Sequence, residues 1–448
     1  MLTITGAESI FIDDTTERGG DLRIVDGIVD GRIADAPIGD GPSGAGPVGD
    51  GVAAGDTLDA TGCVVTPGLV NAHHHLMQTA FRTLPGTRGV PMATWLPAMA
   101  TAYAASGIDP DLCFAAASAG VAEGLLCGVT TVADHHLAWP EGADSVAIAS
   151  ATAAAARELG ARLVFVRGSA RDDPAAAATS AEEIVTALLP GVHGGVSADG
   201  MLQLAVGPAG VHSDTEETFR LFGEVAARFG LRRRTQANEQ VDVAIALERY
   251  GRRPIDLLEE WGWLAPDVTI AHLCEVTAGE IRRIGAAGAS ATHAPGCDLP
   301  MGWGIAPVAA LRAASVAVGL GTSGGGSNDA GHLLADARLA MQVAPLVGPP
   351  LSAREVLGMA TAGSAAGLGR SELGHLRPGA AADLCVWDVS GVADAGVADP
   401  VAGLLWATPG RRPRHVVVAG RVVVRDGRLV ARDERAITAA LAGRVLRR

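Results

Sequence analysis

VVTPGLVNAHHH (residues 64–75) carries an apolar, β-branched run into three consecutive histidines. Side chains two apart on a strand share a face, so His73 and His75 converge while His74 turns away. Two imidazoles placed in this way form half of a metal-binding site. Seven further runs follow at intervals of roughly 25 to 40 residues, each set off by an Ala/Leu-rich helical stretch. They are VTTVADHH (129–136), RLVFVRG (162–168), LQLAVGP (202–208), LRRRTQANE (231–239), VTIAHLCE (268–275), ASATHAP (289–295) and VAVGLGTSG (316–324). Eight strands alternating with helices predict an α/β chain closed into a (β/α)8, TIM-like barrel. An open doubly wound sheet would show the same alternation, but no GxGxxG follows the first strand. His73, His75, His136, Gln236, Glu239, His272, His293 and Ser323 all fall at the C-terminal ends of these runs, the face on which such barrels carry their sites.

Outside the barrel, residues 66–374, the pattern changes. LTITGAESIFI, LRIVDGIVDGRIAD, ADLCVWDV and HVVVAGRVVVRDGRLV are short strands joined by Gly-rich turns, so residues 1–65 and 375–448 are expected to build one small, discontinuous β-sandwich-type domain. The Gly-, Pro- and Asp-rich segment 37–56 reads as a mobile surface loop.

Composition narrows the chemistry. A chain of 448 residues that is 48% hydrophobic can bury a large core, yet no apolar run reaches the roughly 18 to 20 residues needed to span a bilayer. The start MLTITGAESIFIDD lacks a signal-peptide pattern, which predicts a cytoplasmic protein without a membrane partner. A net charge of −14, spread without an acidic block, argues against nucleic acid. All 35 basic residues are Arg. Without Lys there is no Schiff base, no P-loop and no modified lysine bridging two metals. The six cysteines are scattered, with no CxxC pair, and indicate neither a disulfide framework nor a thiolate zinc site.

PGLVNAHHHLMQ, TQANE, AHLCE, THAPGCDLPMGWGIAPV, GLGTSGGGSNDAGHLLADARLA and PGAAADLCVWD, in that order along nearly the whole chain, resemble the amidohydrolase superfamily. The likeness is closest to the triazine hydrolase and 8-oxoguanine deaminase-like branch of chlorohydrolases and deaminases. It implies one divalent metal, zinc ahead of iron, held by the strand-one HxH pair and a strand-five residue. It also implies a strand-six histidine beside the metal, a strand-eight Asp and a proton-shuttling Glu. His73 and His75 match the pair, Glu239 the shuttle and His272 the strand-six position. Gln236 stands where the family usually has His and Ser323 where it commonly has Asp, substitutions that would weaken metal binding or abolish it.

The implied reaction is hydrolytic removal of an amino, halide or thioether group from a purine-, pterin- or triazine-like ring by metal-activated water. Glu239, His272 and Ser323 are its candidate catalytic residues, and His73, His75 and Gln236 its candidate ligands. Gln78, Trp95, His136, Arg234, His293, Trp303 and Asn328 are candidate contacts for a small heterocyclic substrate. Arg234 shares the face of Gln236 and could bind a substrate anion at the barrel mouth, or else pair with a neighbouring carboxylate. His193, His212, His375 and His415 read as solvated or structural, and Ser327, Asn328 and Asp329 stand in helix-capping positions, of which capping accounts for one. A metal-free enzyme working through Glu239 and His272, and a silent ligand-binding homologue, are the alternatives. By analogy with relatives, a homodimer or larger homo-oligomer is expected.

Overall fold

The computed structural model describes residues 1–30 and 56–445; the loop expected over 37–56 therefore lies almost wholly outside the described residues. Eight parallel strands form the barrel: Leu69–His75, Val129–His136, Arg162–Ser169, Leu202–Pro208, Arg232–Ala237, Val268–His272, Ser290–His293, and an eighth split into Val318–Leu320 and Ser323–Gly324. The split closes the ring. The first half of strand eight pairs with strand seven (His293 opposite Leu320), and the second half pairs with strand one (Ser323 opposite His74).

Residues 64–75 are two strands rather than one. Cys63–Pro67 belongs to the terminal sheet, and the barrel begins at Leu69. Pro67 has no N–H for a continuing ladder. Gly68 makes the turn possible, because a Cβ there would lie 2.2 Å from Thr130 Oγ1.

Both chain ends meet in the terminal sheet, where Leu384–Asp388 runs antiparallel to Cys63–Pro67 and Leu2–Asp13 pairs with Thr16–Val25. The C-terminal segment is not all β. Helices Pro400–Trp406 and Glu434–Val445 interrupt it, and the second returns to the barrel, where Arg444 pairs with Asp109 and Arg432 with Glu158. Ala-rich 434–445 has no strand alternation, which is why it leaves the sheet.

The barrel is sealed below the histidines. Val70, Ala133, Val164, Val166 and Ala205 fill its interior and pack against Leu368 and Leu373. Beside this plug, Arg162 and Asp383 form a two-pronged ion pair at 2.8 and 2.9 Å, both side chains at most 5% exposed, that ties strand three to the terminal sheet. The route to the interior is therefore from the C-terminal side of the strands.

Candidate active site

Strand one delivers its two histidines through a break in register between Asn71 and His74. Asn71 and His74 both turn outward and bind Thr322 Oγ1 at 2.8 and 2.9 Å, stapling strand one to strand eight. His73 and His75 turn inward with ring centroids 4.9 Å apart. His75 Nδ1 bonds the carbonyl of His135 at 2.6 Å, so that nitrogen carries the proton and Nε2 keeps its lone pair. His73 Nε2 is buried without a partner.

Strand six would not deliver His272 by alternation alone. Thr269 faces inward, bonding Gly367 and Ser290, whereas Val268 and Ile270 pack outward, so an unbroken strand turns His272 away. A left-handed φ of 76° at His272, followed by 60° at Leu273, brings the ring back over the interior, 5.2 Å from the His73 ring. Asn238 (59°), Gln240 (79°) and Ser323 (54°) adopt the same region at the ends of strands five and eight. Such backbone costs of order 1–3 kcal/mol per residue, and it persists where the surroundings over-determine it. Asp242 is one such constraint: its carboxylate accepts the N–H groups of Asn238 and Glu239 at 2.6 and 2.5 Å, which fixes the turn that presents Glu239.

The resulting cluster is compact. His272 Nε2 lies 3.1 Å from Gln236 Oε1 and 3.5 Å from Glu239 Oε1, while Nδ1 binds Asp298 Oδ1 at 2.6 Å. Burial works against protonation of His272, but the carboxylates of Asp298 and Glu239 outweigh it and raise its pKa. Burial also pushes the Glu239 carboxyl well up, and neither of its oxygens has a hydrogen-bond partner. It pulls His75 down to about 4 and His73 well below its usual range, leaving neutral imidazoles. Neutral imidazoles with free nitrogens, an amide oxygen and an unpaired carboxyl fit a divalent cation. A second grouping, His272, Cys297 and Asp298, fits less well. Asp298 is committed to His272, and burial holds the Cys297 thiol protonated.

Above the cluster opens a cavity of about 480 Å³. His75, Gln236, Glu239 and Ser323 form its polar floor, and Met92, Trp95, Met99, Trp139, Met301 and Trp303 much of its apolar wall. Trp303 stands edge-on to His272 at 5.0 Å, and its Nε1 has no partner. Trp95 Nε1 donates to the carbonyl of Gly326 at 2.9 Å. Gln78 reaches the cavity, but its Oε1 accepts the N–H of Gly326 at 3.1 Å, and a Cβ on Gly324 would lie 2.0 Å from that oxygen. Gln78 braces the triple-glycine loop rather than offering a free amide oxygen.

Four expected substrate contacts lie elsewhere. Arg234, 3% exposed, points inward one strand layer below Gln236 and donates to the carbonyl of Ala72; it neither lines the cavity nor meets a carboxylate. Burial lowers its pKa to about 9. Asn328 is spent on the Thr322 carbonyl at 3.0 Å and on Asp336. His293 sits behind Asp298, its Nδ1 3.6 Å from Oδ2. His136 packs 4.5 Å from the Trp139 ring and bonds the Ala138 carbonyl. Nor do residues 327–329 cap a helix: it starts at Leu333 with His332 as cap, and Asp329 instead binds Arg88 and the Thr83 N–H. Conversely, His212 is 5% exposed, not solvated, and lines the cavity beside Arg171, Asp172 and Ser213. No periodic signal marks that loop, so sequence reasoning could not place it.

A barrel with converging imidazoles and a buried, unpartnered carboxyl at its mouth defines a hydrolase-type site. The chain belongs to the amidohydrolase family, whose model matches residues 64–423. It is 35% identical over 407 residues to 8-oxoguanine deaminase of Pseudomonas aeruginosa, covering 86% of this chain and 88% of that protein. It is 30% identical over 464 residues to isoxanthopterin deaminase of an unknown prokaryotic organism, covering 94% and 90%. Its fold matches that of a mutant atrazine chlorohydrolase of Arthrobacter aurescens TC1, crystallised with zinc and atraton, with a TM-score of 0.89, 33% identity and coverage of 99% and 100%. The protein is thus a hydrolase acting on C–N or C–halogen bonds. Among the described residues no helix is long and apolar enough to cross a membrane.

Proposed function

We propose that this protein is a metal-dependent hydrolase of a nitrogen-rich heterocycle, removing an amino, halide or thioether substituent from a purine-, pterin- or triazine-like ring. The observation that carries the reading is Glu239, a fully buried carboxyl with both oxygens unpartnered, 3.5 Å from His272 at the floor of an aromatic cavity. A buried carboxyl left so exposed to desolvation cost is a functional group awaiting a partner.

His73, His75, Gln236 and His272 would hold the metal, zinc ahead of iron. When bound, it supplies Lewis acidity and lowers the pKa of water toward neutrality. Glu239, kept protonated by burial, donates a proton to a ring nitrogen and so makes the adjacent carbon electrophilic. After attack, the same carboxylate carries the water's proton to the leaving group. Asp298 holds the His272 tautomer with Nε2 directed at Gln236 and Glu239. The aromatic wall, Trp95 and Trp303 included, excludes bulk water and packs against the ring faces.

Metal content of the purified protein, measured by mass spectrometry beside the Gln236→His variant, tests the site. About one zinc or iron per chain is expected in the unaltered protein. A protein that stays metal-free until Gln236→His is introduced would overturn the reading. Turnover is sought with 8-oxoguanine, isoxanthopterin and atraton, and expected to vanish in His73→Ala.

A further inference from the structure

The cavity has a second polar region that the proposed chemistry leaves unused. It is built by the loops after strands three and four, and Asp214 joins them. The Asp214 carboxylate accepts Ser169 Oγ and Ser213 Oγ, both at 2.6 Å, and the backbone N–H of Arg171. Asp214 is 2% exposed and lies outside the cavity lining, so its work is to fix the two loops against each other. Arg171 is held in this turn at a left-handed φ of 71°, a conformation arginine adopts only under constraint.

Two side chains are displayed as a result. Arg171 is the one basic side chain lining the cavity among the described residues, and it makes no ion pair there; the neighbouring Asp172 is taken by Arg167 at 2.7 Å. His212 is 5% exposed, and its Nδ1 is buried without a hydrogen-bond partner. Its ring lies over Gly210, where a Cβ would meet His212 Nδ1 at 2.8 Å and the Gln236 carbonyl at 3.0 Å. The imidazole therefore sits against the strand that presents Gln236. Burial lowers its pKa to about 4, so it offers one N–H donor and one lone pair rather than a charge. A buried imidazole nitrogen without a partner costs free energy unless a ligand completes it. An unpaired guanidinium beside it favours a ligand with negative charge, all the more in a chain of net charge −14 that otherwise repels anions.

We propose that Arg171 and His212 form a recognition subsite for an oxyanion carried by the substrate, either a carboxylate on a ring substituent or the oxygen of an ionised hydroxy-heterocycle. Arg171 supplies the charge and His212 a directional hydrogen bond next to it. The inference rests on the heterocycle reading above and refines it from ring class to ring charge.

Binding is the readout, followed by quenching of the tryptophans that line the cavity, with two pairs of probes. A carboxyalkylamino-triazine is compared with its methyl ester, and a hydroxy-aminotriazine is compared above and below the pH of its ionisation. The anion of at least one pair is expected to bind about ten-fold more tightly than its neutral counterpart. That preference should disappear in Arg171→Met and fall in His212→Phe but not in His212→Gln, and the pair that shows it identifies the source of the charge. Equal binding within both pairs, or a preference that survives Arg171→Met, overturns the subsite while the heterocycle reading stands. Failure of all four probes to bind overturns both.

Discussion

The two ends of the barrel use polar side chains in opposite ways. At the closed end Arg162 and Asp383 satisfy each other with two hydrogen bonds beside an apolar plug. At the open end Glu239, His73, Trp303 and His212 are buried with unsatisfied atoms, on backbone held at left-handed φ in Asn238, Gln240, His272 and Ser323. Matched charge stabilises one end, and unmatched polarity stores binding capacity at the other. Mutations at the mouth should therefore cost activity more than stability, and mutations at the base the reverse.

Glu239→Gln is the most severe test. Loss of the proton shuttle should lower kcat about 10²- to 10⁴-fold while metal content stays the same. In chelated protein at pH 8 its melting temperature should rise. A carboxyl whose folded pKa is raised holds its proton in the fold and not in the unfolded chain, so its stability contribution falls as pH climbs from the unfolded value of 4.5 toward the folded one. A variant that keeps its turnover, or one that melts lower at pH 8, breaks the contrast. Asp383→Ala should do the opposite, leaving Arg162 as an uncompensated buried cation at a cost of about 3–5 kcal/mol, seen as a lower denaturant midpoint with kcat per folded molecule unchanged. An unchanged midpoint would mean the base is not where stability resides.

Acid should act through the mouth. His74 and His135 are pulled to about 3, and His75, His136 and His212 to about 4, in each case chiefly by burial. Below the unfolded value of 6.5 the unfolded chain takes up protons that the fold refuses, so stability declines as pH falls from 6.5 toward 4, by up to about 1.4 kcal/mol per pH unit for each histidine. Thermal melts of metal-free protein between pH 7.5 and 5 should show a steep fall. A flat profile would mean that these imidazoles are charged in the fold.

The same contrast explains what could be read from the sequence. Regular strands carry their side chains at a fixed period, so the barrel and the inward pair His73 and His75 followed from alternation and order, whereas Glu239, beyond the end of strand five, was placed by the family resemblance. The misplacements arose where depth or loop geometry decides. Arg234 shares a face with Gln236 but lies one layer lower, a difference of height that alternation does not encode. His212, read as solvated or structural, reaches the cavity through a loop clamped by the carboxylate of Asp214, whereas His272 was placed at the site by the family resemblance although alternation alone would have turned it away. Asp298, which orients His272, comes from the short helix Pro295–Asp298 after strand seven and had no periodic signal at all.

The smallest effect is expected at the rim, where a side chain belongs to the mouth but not to its chemistry. Trp95 keeps its ring on the cavity wall and spends its N–H on the carbonyl of Gly326. Trp95→Phe preserves most of the apolar surface and removes one hydrogen bond, worth about 1 kcal/mol, so KM should rise about five-fold with kcat unchanged. Gly326 belongs to the loop that Gln78 also holds and that continues from Ser323. A fall in kcat of the same size would therefore place the effect in the alignment of strand eight with the histidine cluster, and would show that the rim and the floor of the site act as one unit.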